Sequence, residues 1–166
     1  MTGEAITIRR AGYSDLPAIV DLLADDDIGR LREDPGRPLA DAYLSAFQAI
    51  DADPNQLLAV AVDGDRIVGT LQISFLPGLS RKGSWRGQIE AVRIASGSRG
   101  TGIGRHMIEW AFDRCRERQC RLVQLTTDKR RPDALRFYER LNFKATHEGL
   151  KLELVAEPHE AAHKPA

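Results

Sequence analysis

The stretch Arg99-Gly100-Thr101-Gly102-Ile103-Gly104-Arg105 joins a strand-like segment to an amphipathic helix and is the most informative part of the chain. Its closely spaced glycines allow a sharp turn and let a ligand approach the backbone amides without Cβ clashes. The first turn of the helix that follows offers unpaired N–H groups and the positive end of a helix dipole. Because an arginine stands at either edge, the stretch predicts a binding site for a phosphate group.

Two common phosphate-binding motifs do not fit this glycine turn. A P-loop ends in Gly-Lys-Ser/Thr, whereas Arg105 and His106 follow Gly104 here. The dinucleotide fingerprint G-x-G-x-x-G would place Arg105 or Met107 where its last glycine belongs. A nucleotide-binding enzyme is therefore the least favoured of the functions that the turn allows.

Strand and helix patterns alternate on both sides of the glycine turn. Runs of β-formers or alternating apolar residues indicate strands, whereas apolar residues at i, i+3, i+4 and i+7 indicate helices. Helices are predicted from Leu16, from Leu39 to Ile50, from Ile103 and from Pro132. Strands are predicted at 5–10, 57–62, 67–75, 85–94 and 121–126, with a closing pair at 143–147 and 150–155. The tight-turn sequence Asp63-Gly64-Asp65-Arg66 predicts a hairpin between the second and third strands.

Two motifs in this order resemble the GNAT superfamily of acyl-CoA-dependent N-acyltransferases. The first is Arg99-x-x-Gly102-x-Gly104, which is similar to the Q/R-x-x-G-x-G/A pyrophosphate loop of that family. The second is similar to the family's A-x-x-F-Y-E-K-x-G-F segment, with Asn142 in place of the usual glycine: Ala134-Leu135-Arg136-Phe137-Tyr138-Glu139-Arg140-Leu141-Asn142-Phe143. Together with the order of elements, the resemblance covers about residues 5–155.

The resemblance implies a GNAT-like α/β fold in one domain over residues 1–156, followed by a frayed tail at 157–166. The expected architecture is a central, mixed but mostly antiparallel sheet of about seven strands with about four helices. In this family the strand before the glycine turn splays from its neighbour at a bulge, and acyl-CoA enters the gap. The pantetheine arm then pairs with the strand backbone as an added strand would.

Acetyl-CoA is the co-substrate that the resemblance implies, and no metal is expected. Aligned on the glycine turn, the splayed strand is 88–94; the Val92 N–H would face the thioester carbonyl and Ile94 would bond the pantetheine amides. Backbone amides of the turn would hold the pyrophosphate. The implied cofactor-binding residues are Val92, Ile94, Arg99, Gly100, Thr101, Gly102, Gly104 and Arg105.

Attack of a neutral amine on a thioester needs a base for the amine, a donor for the oxyanion and an acid for the leaving thiolate. The resemblance assigns the acid to Tyr138, whose phenol is protonated at neutral pH, and the oxyanion donor to Val92. Glu90 is the candidate base, on the expectation that the apolar strand buries its carboxylate; the alternative interpretation is a salt bridge to Arg86 or Arg93, or an outward-facing position on the strand. His147 or water could take the same role.

Two charged loops are candidates for acceptor contacts. Residues 25–37 are mainly acidic and suit a cationic amine, although such runs are usually solvated surface. A second cluster suits either an acceptor carboxylate or the phosphates of CoA, and contains Arg81, Lys82, Trp85 and Arg86.

Composition excludes several other classes of protein. Lysine plus arginine and aspartate plus glutamate number 24 each, so the net charge is zero and gives no field that would attract a nucleic acid. No apolar stretch approaches the ~20 residues of a membrane span, and the start of the chain lacks a signal-peptide pattern. Cys115 and Cys120 lack metal-site spacing and are expected to be reduced thiols of a cytoplasmic protein.

Two functions follow from these patterns. The first is an N-acetyltransferase that moves an acetyl group to a small-molecule or peptide primary amine by direct attack in a ternary complex. The second is a non-catalytic acyl-CoA-binding or regulatory module on the same fold. Retention of Tyr138 and Glu90 favours the enzyme, because a pure binder needs neither side chain. A homodimer, common in the family, is left open.

Overall fold

The sheet is built around the hairpin that the turn at 63–66 predicts. In a computed structural model that describes residues 5–152 and 154, β2 (Gln56–Asp63) and β3 (Arg66–Leu76) pair antiparallel, and Gly64 has a φ of +58°. β1 (Thr7–Arg10) and β4 (Trp85–Ile94) flank this hairpin in antiparallel orientation, and β5 (Cys120–Leu125) adds in parallel. The resulting sheet has five strands in the order β1-β2-β3-β4-β5.

Helices cover both faces of this sheet. The first compact unit, Met1–Thr126, contains α1 (Leu16–Ala24), α2 (Asp41–Ala52), the short turn α3 (Ser80–Gly83) and α4 (Ile103–Glu117). The buried side chains at one face of β2 cluster with those of α1 and α2: Ala11, Leu16, Ile19, Phe47, Leu58 and Val60. On the other face, the Sγ of Cys115 in α4 stands only 2.3 Å from where a Cβ of Gly87 would be, so β4 and α4 are in close contact.

The second compact unit, Thr127–Ala166, contains α5 (Pro132–Glu139), which begins at Pro132 as predicted. Residues 143–147 form no strand, which corrects the first member of the predicted closing pair. Within the second member, residues 153 and 155 lie outside the described residues, as does the tail at 157–166, and 150–152 are not in a strand. An alternating pattern becomes a strand only where a neighbouring strand pairs with it, and this unit has none among its described residues.

The expected α/β class is confirmed, and the described residues contain five strands where about seven were expected. The helix count also differs, because the basic loop before β4 forms α3. This element is an unusual turn in which Arg81, Lys82 and Gly83 all have positive φ angles of 53°, 60° and 73°.

Asn142 performs the conformational role that glycine has in the related family segment. Its φ is +66°, the left-handed conformation that ends many helices. The Asn142 N–H donates to the Glu139 carbonyl at 2.9 Å and the Phe143 N–H to the Tyr138 carbonyl at 3.1 Å, which is a Schellman motif. The Tyr138 and Phe143 rings meet at 5.7 Å and supply its hydrophobic contact. The departure from the family pattern therefore preserves the local structure.

Substituting Asn142 tests this assignment. Asn142→Val should lower the free energy of unfolding by about 1–2 kcal/mol, because a β-branched residue is strained at positive φ. Asn142→Gly should be tolerated. The melting temperature should fall by about 2–8 °C in the valine variant. The exposed Lys144, which lacks positive φ, supplies the control Lys144→Val; equal melting of the two valine variants would contradict the assignment.

Candidate active site

The site is formed by an edge of β4 that β5 leaves open. β4 pairs with β5 from Trp85 to Ile89, where Ile89 stands opposite Leu125, the last residue of β5. β4 nevertheless continues to Ile94, paired on its other side with β3. Among the described strands, none pairs with residues 90–94 on the β5 side. The strand splay that the sequence resemblance implies is therefore present within the first unit.

A β-bulge lies at the start of this open edge. Thr70 of β3 pairs with Arg93 and Gln72 pairs with Glu90, so Leu71 stands opposite both Ala91 and Val92. Neither Ala91 nor Val92 has a partner in the β3 register, and Ala91 has a φ of +52°. A non-glycine residue in the left-handed region costs about 1–2 kcal/mol and is most often found at functional sites. The bulge interrupts the regular β3–β4 pairing at Ala91 and Val92.

The next backbone groups along the edge point towards the open side. The Ala95 N–H donates to the Val68 carbonyl at 2.9 Å, and the carbonyl of the same peptide unit, that of Ile94, must point the opposite way. The Nε of Arg99 donates to this Ile94 carbonyl at 3.0 Å. The Nη1 of Arg93 similarly donates to the Val92 carbonyl at 2.9 Å. Two guanidinium groups thus donate hydrogen bonds to the Val92 and Ile94 carbonyls at a strand edge that is otherwise unpaired.

Two aspartates at the end of α1 hold these arginines. The carboxylate of Asp25 accepts the Ser96 N–H at 2.6 Å, and its carbonyl accepts the Nη2 of Arg99 at 2.6 Å. Asp26 lies 3.4 Å from the Nε of Arg93 and also accepts the amides of Ile28 and Gly29. Asp25 and Asp26 belong to the loop that was a candidate for acceptor contacts or solvated surface; they connect α1 to β4 and the turn after it.

The glycine turn adds anion-binding amides beside the same edge. Gly100 and Gly102 have φ angles of +77° and +93°, so both need the conformational freedom of glycine. The first hydrogen bond of α4 runs from the His106 N–H to the Gly102 carbonyl at 3.1 Å. The amides of Ile103, Gly104 and Arg105 therefore have no acceptor within the helix. Thr101 braces the turn by donating its hydroxyl to the Ser98 carbonyl at 2.7 Å.

Glu90 lies immediately before the bulge, but its environment differs from the expected one. Its side chain is exposed, because Ile89 and not Glu90 faces the buried side of β4. The expected burial of this carboxylate is therefore wrong. The alternative salt bridges are also absent among the described residues, since Arg93 pairs with Asp26 and Arg86 has no ion pair.

The remaining candidates lie in the second unit. Tyr138 contacts Phe137 and Phe143 in edge-on geometry, with ring centroids 5.1 and 5.7 Å apart, and is half-buried. His147 is exposed, with its Nδ1 2.7 Å from the Thr146 hydroxyl. Tyr138 lies on the half-buried side of α5 with Ala134 and Phe137, and the half-buried Leu141 continues the apolar spacing that predicts the helix.

Comparisons with known proteins agree with this geometry. The profile of the Acetyltransferase (GNAT) family matches residues 16–143, which include the open edge, the glycine turn and α5. The chain belongs to the GNAT acetyltransferase family. The expectation of an acetyl-CoA-dependent N-acetyltransferase is thereby confirmed.

Individual relatives share much of this GNAT sequence. An aminoalkylphosphonate N-acetyltransferase of Salmonella typhimurium is 30% identical over 106 residues, 64% of this chain and 68% of the relative. A glucosamine 6-phosphate N-acetyltransferase of Trypanosoma brucei brucei is 33% identical over 54% of this chain and 58% of its own length. A solved structure described as a transcriptional regulator of Bacillus halodurans C-125 is 54% identical, with a TM-score of 0.88, over 90% of this chain and 99% of that one.

The remaining features of this GNAT chain concern its cysteines, metal binding and membrane-spanning helices. Burial raises the pKa of the Cys115 thiol to about 12, so it is a poor nucleophile, and both cysteines are free. Within residues 5–152 and 154 no cluster of histidine, cysteine, aspartate and glutamate could hold a metal ion. In the same part of the chain no helix has the length and apolar composition to cross a membrane.

Asp25 is a positioning residue for the GNAT cofactor site, and its removal should show this kinetically. Asp25→Ala should raise the KM for acetyl-CoA about tenfold, because Ser96 loses its acceptor and the glycine turn loses part of its preorganisation. The kcat should change less than about twofold, since Asp25 contacts no reacting atom. Steady-state kinetics at saturating acceptor provide the measurement.

Asp27→Ala is the matched control, because the Asp27 side chain is 90% exposed and pairs only with the exposed Arg30. The same KM change in both variants, or a loss confined to kcat, would show that Asp25 does not position the turn.

Proposed function

We propose that the chain transfers an acetyl group from acetyl-CoA to a small primary amine, which attacks the thioester directly while both substrates are bound. One domain over residues 1–156 is proposed to carry this activity. The observation that supports it best is the bulge at Ala91 and Val92, which interrupts strand pairing beside an open strand edge. This edge leads directly into the anion-binding turn, as an extended molecule ending in phosphates requires.

The proposed cofactor contacts are mainly backbone groups. The pantetheine arm bonds the N–H and carbonyl of Ile94, which requires the Nε of Arg99 to leave the 3.0 Å contact that it makes there. The pyrophosphate is held by the amides of Gly100, Gly102, Gly104 and Arg105, with added charge from Arg99 and Arg105 and bracing by Thr101. The residues present fit such a ligand, because these amides lie at the start of α4 and the two left-handed glycines leave open space around them.

In the proposed chemistry, Glu90 accepts a proton from the ammonium form of the acceptor. The freed nitrogen attacks the thioester carbon, and the Val92 N–H donates to the oxygen that becomes negative. One such donor is worth on the order of 3 kcal/mol. As the tetrahedral intermediate collapses, the carbon–sulfur bond breaks and the Tyr138 hydroxyl protonates the thiolate. The exposure of Glu90 leaves His147 or a water molecule as alternative bases.

The relatives support a small acceptor. Aminoalkylphosphonate and glucosamine 6-phosphate, the acceptors in their names, are both small molecules with a primary amine. We therefore favour a small-molecule acceptor over a peptide amine for this chain.

A non-catalytic regulatory module is the second candidate function. The observation that favours it is the 54% identity to the protein described as a transcriptional regulator. Retention of Glu90 and Tyr138 favours the enzyme, and the two functions differ in one measurable respect. An enzyme releases CoA thiol in the presence of an amine acceptor, whereas a pure binder does not.

Tyr138→Phe tests both the activity and the role of the phenol. Thiol release from acetyl-CoA should be seen with the native chain across a panel of small amines. In the variant, kcat should fall about 10²–10⁴-fold, as expected for loss of a general acid, while the affinity for acetyl-CoA measured by calorimetry is unchanged.

The exposed Tyr13 offers the control Tyr13→Phe, which should retain native kinetics. Unchanged kcat in Tyr138→Phe would remove the acid role from Tyr138. Binding of acetyl-CoA without thiol release from any amine would favour the regulatory module.

A further inference from the structure

Three polar side chains of β4 form a row on one face of the sheet. Side chains alternate along a strand, and Gly87 and Ile89 are buried on the face that carries α4. Arg86, Gln88 and Glu90 therefore lie on the opposite face, where Arg86 and Glu90 are exposed and Gln88 is half-buried. We call these three residues the polar row. It ends with Glu90, next to the bulge that presents the Val92 amide.

Neighbouring strands extend the polar row sideways with uncharged hydrogen-bonding groups. Ser74 and Gln72 of β3 stand opposite Gln88 and Glu90, and Gln124 of β5 stands opposite Gln88. The Gln124 Nε2 donates to the Gln88 Oε1 at 2.7 Å, which leaves the Gln88 Nε2 and the Gln124 Oε1 for other partners. Gln72 and Ser74 both donate to the Gln56 Oε1, at 3.0 and 2.8 Å.

This polarity is confined to one part of the face. Further along, Leu58, Val60 and Thr70 are buried, and the first two belong to the apolar cluster formed with α1 and α2. Where polar side chains replace apolar ones on this face, the amides form two bonded sets, Gln124 with Gln88 and Gln72 with Gln56. Glutamines held by one another keep their free donor and acceptor atoms in defined places, which is the arrangement that a polar ligand requires.

The charges of the row have opposite signs at its two ends. Four residues of strand separate the Cα atoms of Arg86 and Glu90 by about 13 Å. Neither side chain has an ion-pair partner among the described residues. An exposed arginine can bind a carboxylate, phosphonate or phosphate through two parallel hydrogen bonds.

We propose that the polar row is the acceptor site and that the acceptor is a primary amine which also carries an anionic group. The amine lies at Glu90, because only there can it reach a thioester carbonyl that is bonded to the Val92 amide. The anionic group lies at Arg86, away from the bulge, and hydroxyl or amide groups between them bond Gln88, Gln124 and Gln72. This inference rests on the proposed function and adds its substrate class.

Matched pairs of amines test the anionic requirement. The pairs are glucosamine 6-phosphate with glucosamine, 2-aminoethylphosphonate with ethanolamine, and β-alanine with its amide; they distinguish phosphate, phosphonate and carboxylate. With the native chain, the anionic member of at least one pair should have a KM about tenfold or more below that of its neutral partner. Arg86→Ala should raise that KM about 10–100-fold and leave the KM of the neutral partner within twofold.

Arg121→Ala is the control variant. Arg121 is also exposed and lies on β5, but it is the extra residue at the register shift between Cys120 and Leu122 and stands opposite no residue of the polar row. It should retain native kinetics with every amine. If Arg86→Ala and Arg121→Ala behave alike, or if neutral amines are preferred throughout, the anionic class is overturned.

Direct binding separates this inference from the proposed function. Titration of each amine into the CoA-saturated native chain should show binding of an anionic amine that Arg86→Ala abolishes. If that binding is found but no amine is acetylated, the site is supported and the transferase proposal fails. If amines are acetylated but anionic and neutral partners bind equally, the transferase proposal stands and the acceptor class is wrong. Absence of both binding and turnover across the three pairs overturns the acceptor class as stated.

Discussion

The end of β4–β5 pairing at Ile89 is the constraint on which the rest of the site depends. Beyond this residue no described strand pairs with one edge of β4, and an open edge invites either a ligand or an unwanted strand. The bulge at Ala91, the guanidinium contacts to the Val92 and Ile94 carbonyls and the anion-binding turn all lie along this edge. Together they favour an extended, phosphate-bearing molecule over a foreign strand.

The aspartates at the end of α1 contribute more by holding segments in place than by raising the free energy of unfolding. The Arg99 and Asp25 side chains are 49% and 35% exposed, and ion pairs at such exposure typically contribute about 0–1 kcal/mol. These contacts join segments that are distant in the sequence. Asp25 accepts hydrogen bonds from the Ser96 backbone and the Arg99 side chain, which lie more than 70 positions away. The same contacts give α1 and the cofactor turn a shared set of interactions.

Local patterns predicted most of the fold, whereas long-range partners had no signal in the sequence. The bounds of β4 and the hairpin at 63–66 follow from periodicity and turn chemistry, and the glycine turn adopts the left-handed angles that its composition requires. Asn142 has a left-handed φ because asparagine is the residue that best replaces glycine there. The engagement of Asp25 and Asp26, the exposure of Glu90 and the missing strand at 143–147 depend on which segments meet, which one sequence does not specify. The polar row was visible only in part, as Arg86 within a basic cluster and as Glu90, the candidate base.

Amide hydrogen exchange, resolved by residue, tests most directly whether the open edge binds the acyl-CoA arm. On addition of acetyl-CoA, exchange of the Val92 and Ile94 amides should slow by at least about tenfold, because both gain an acceptor. The Ala95 amide, already bonded to the Val68 carbonyl at 2.9 Å, should change little and serves as an internal reference. Unchanged exchange at Val92 and Ile94 in the saturated complex would contradict the account.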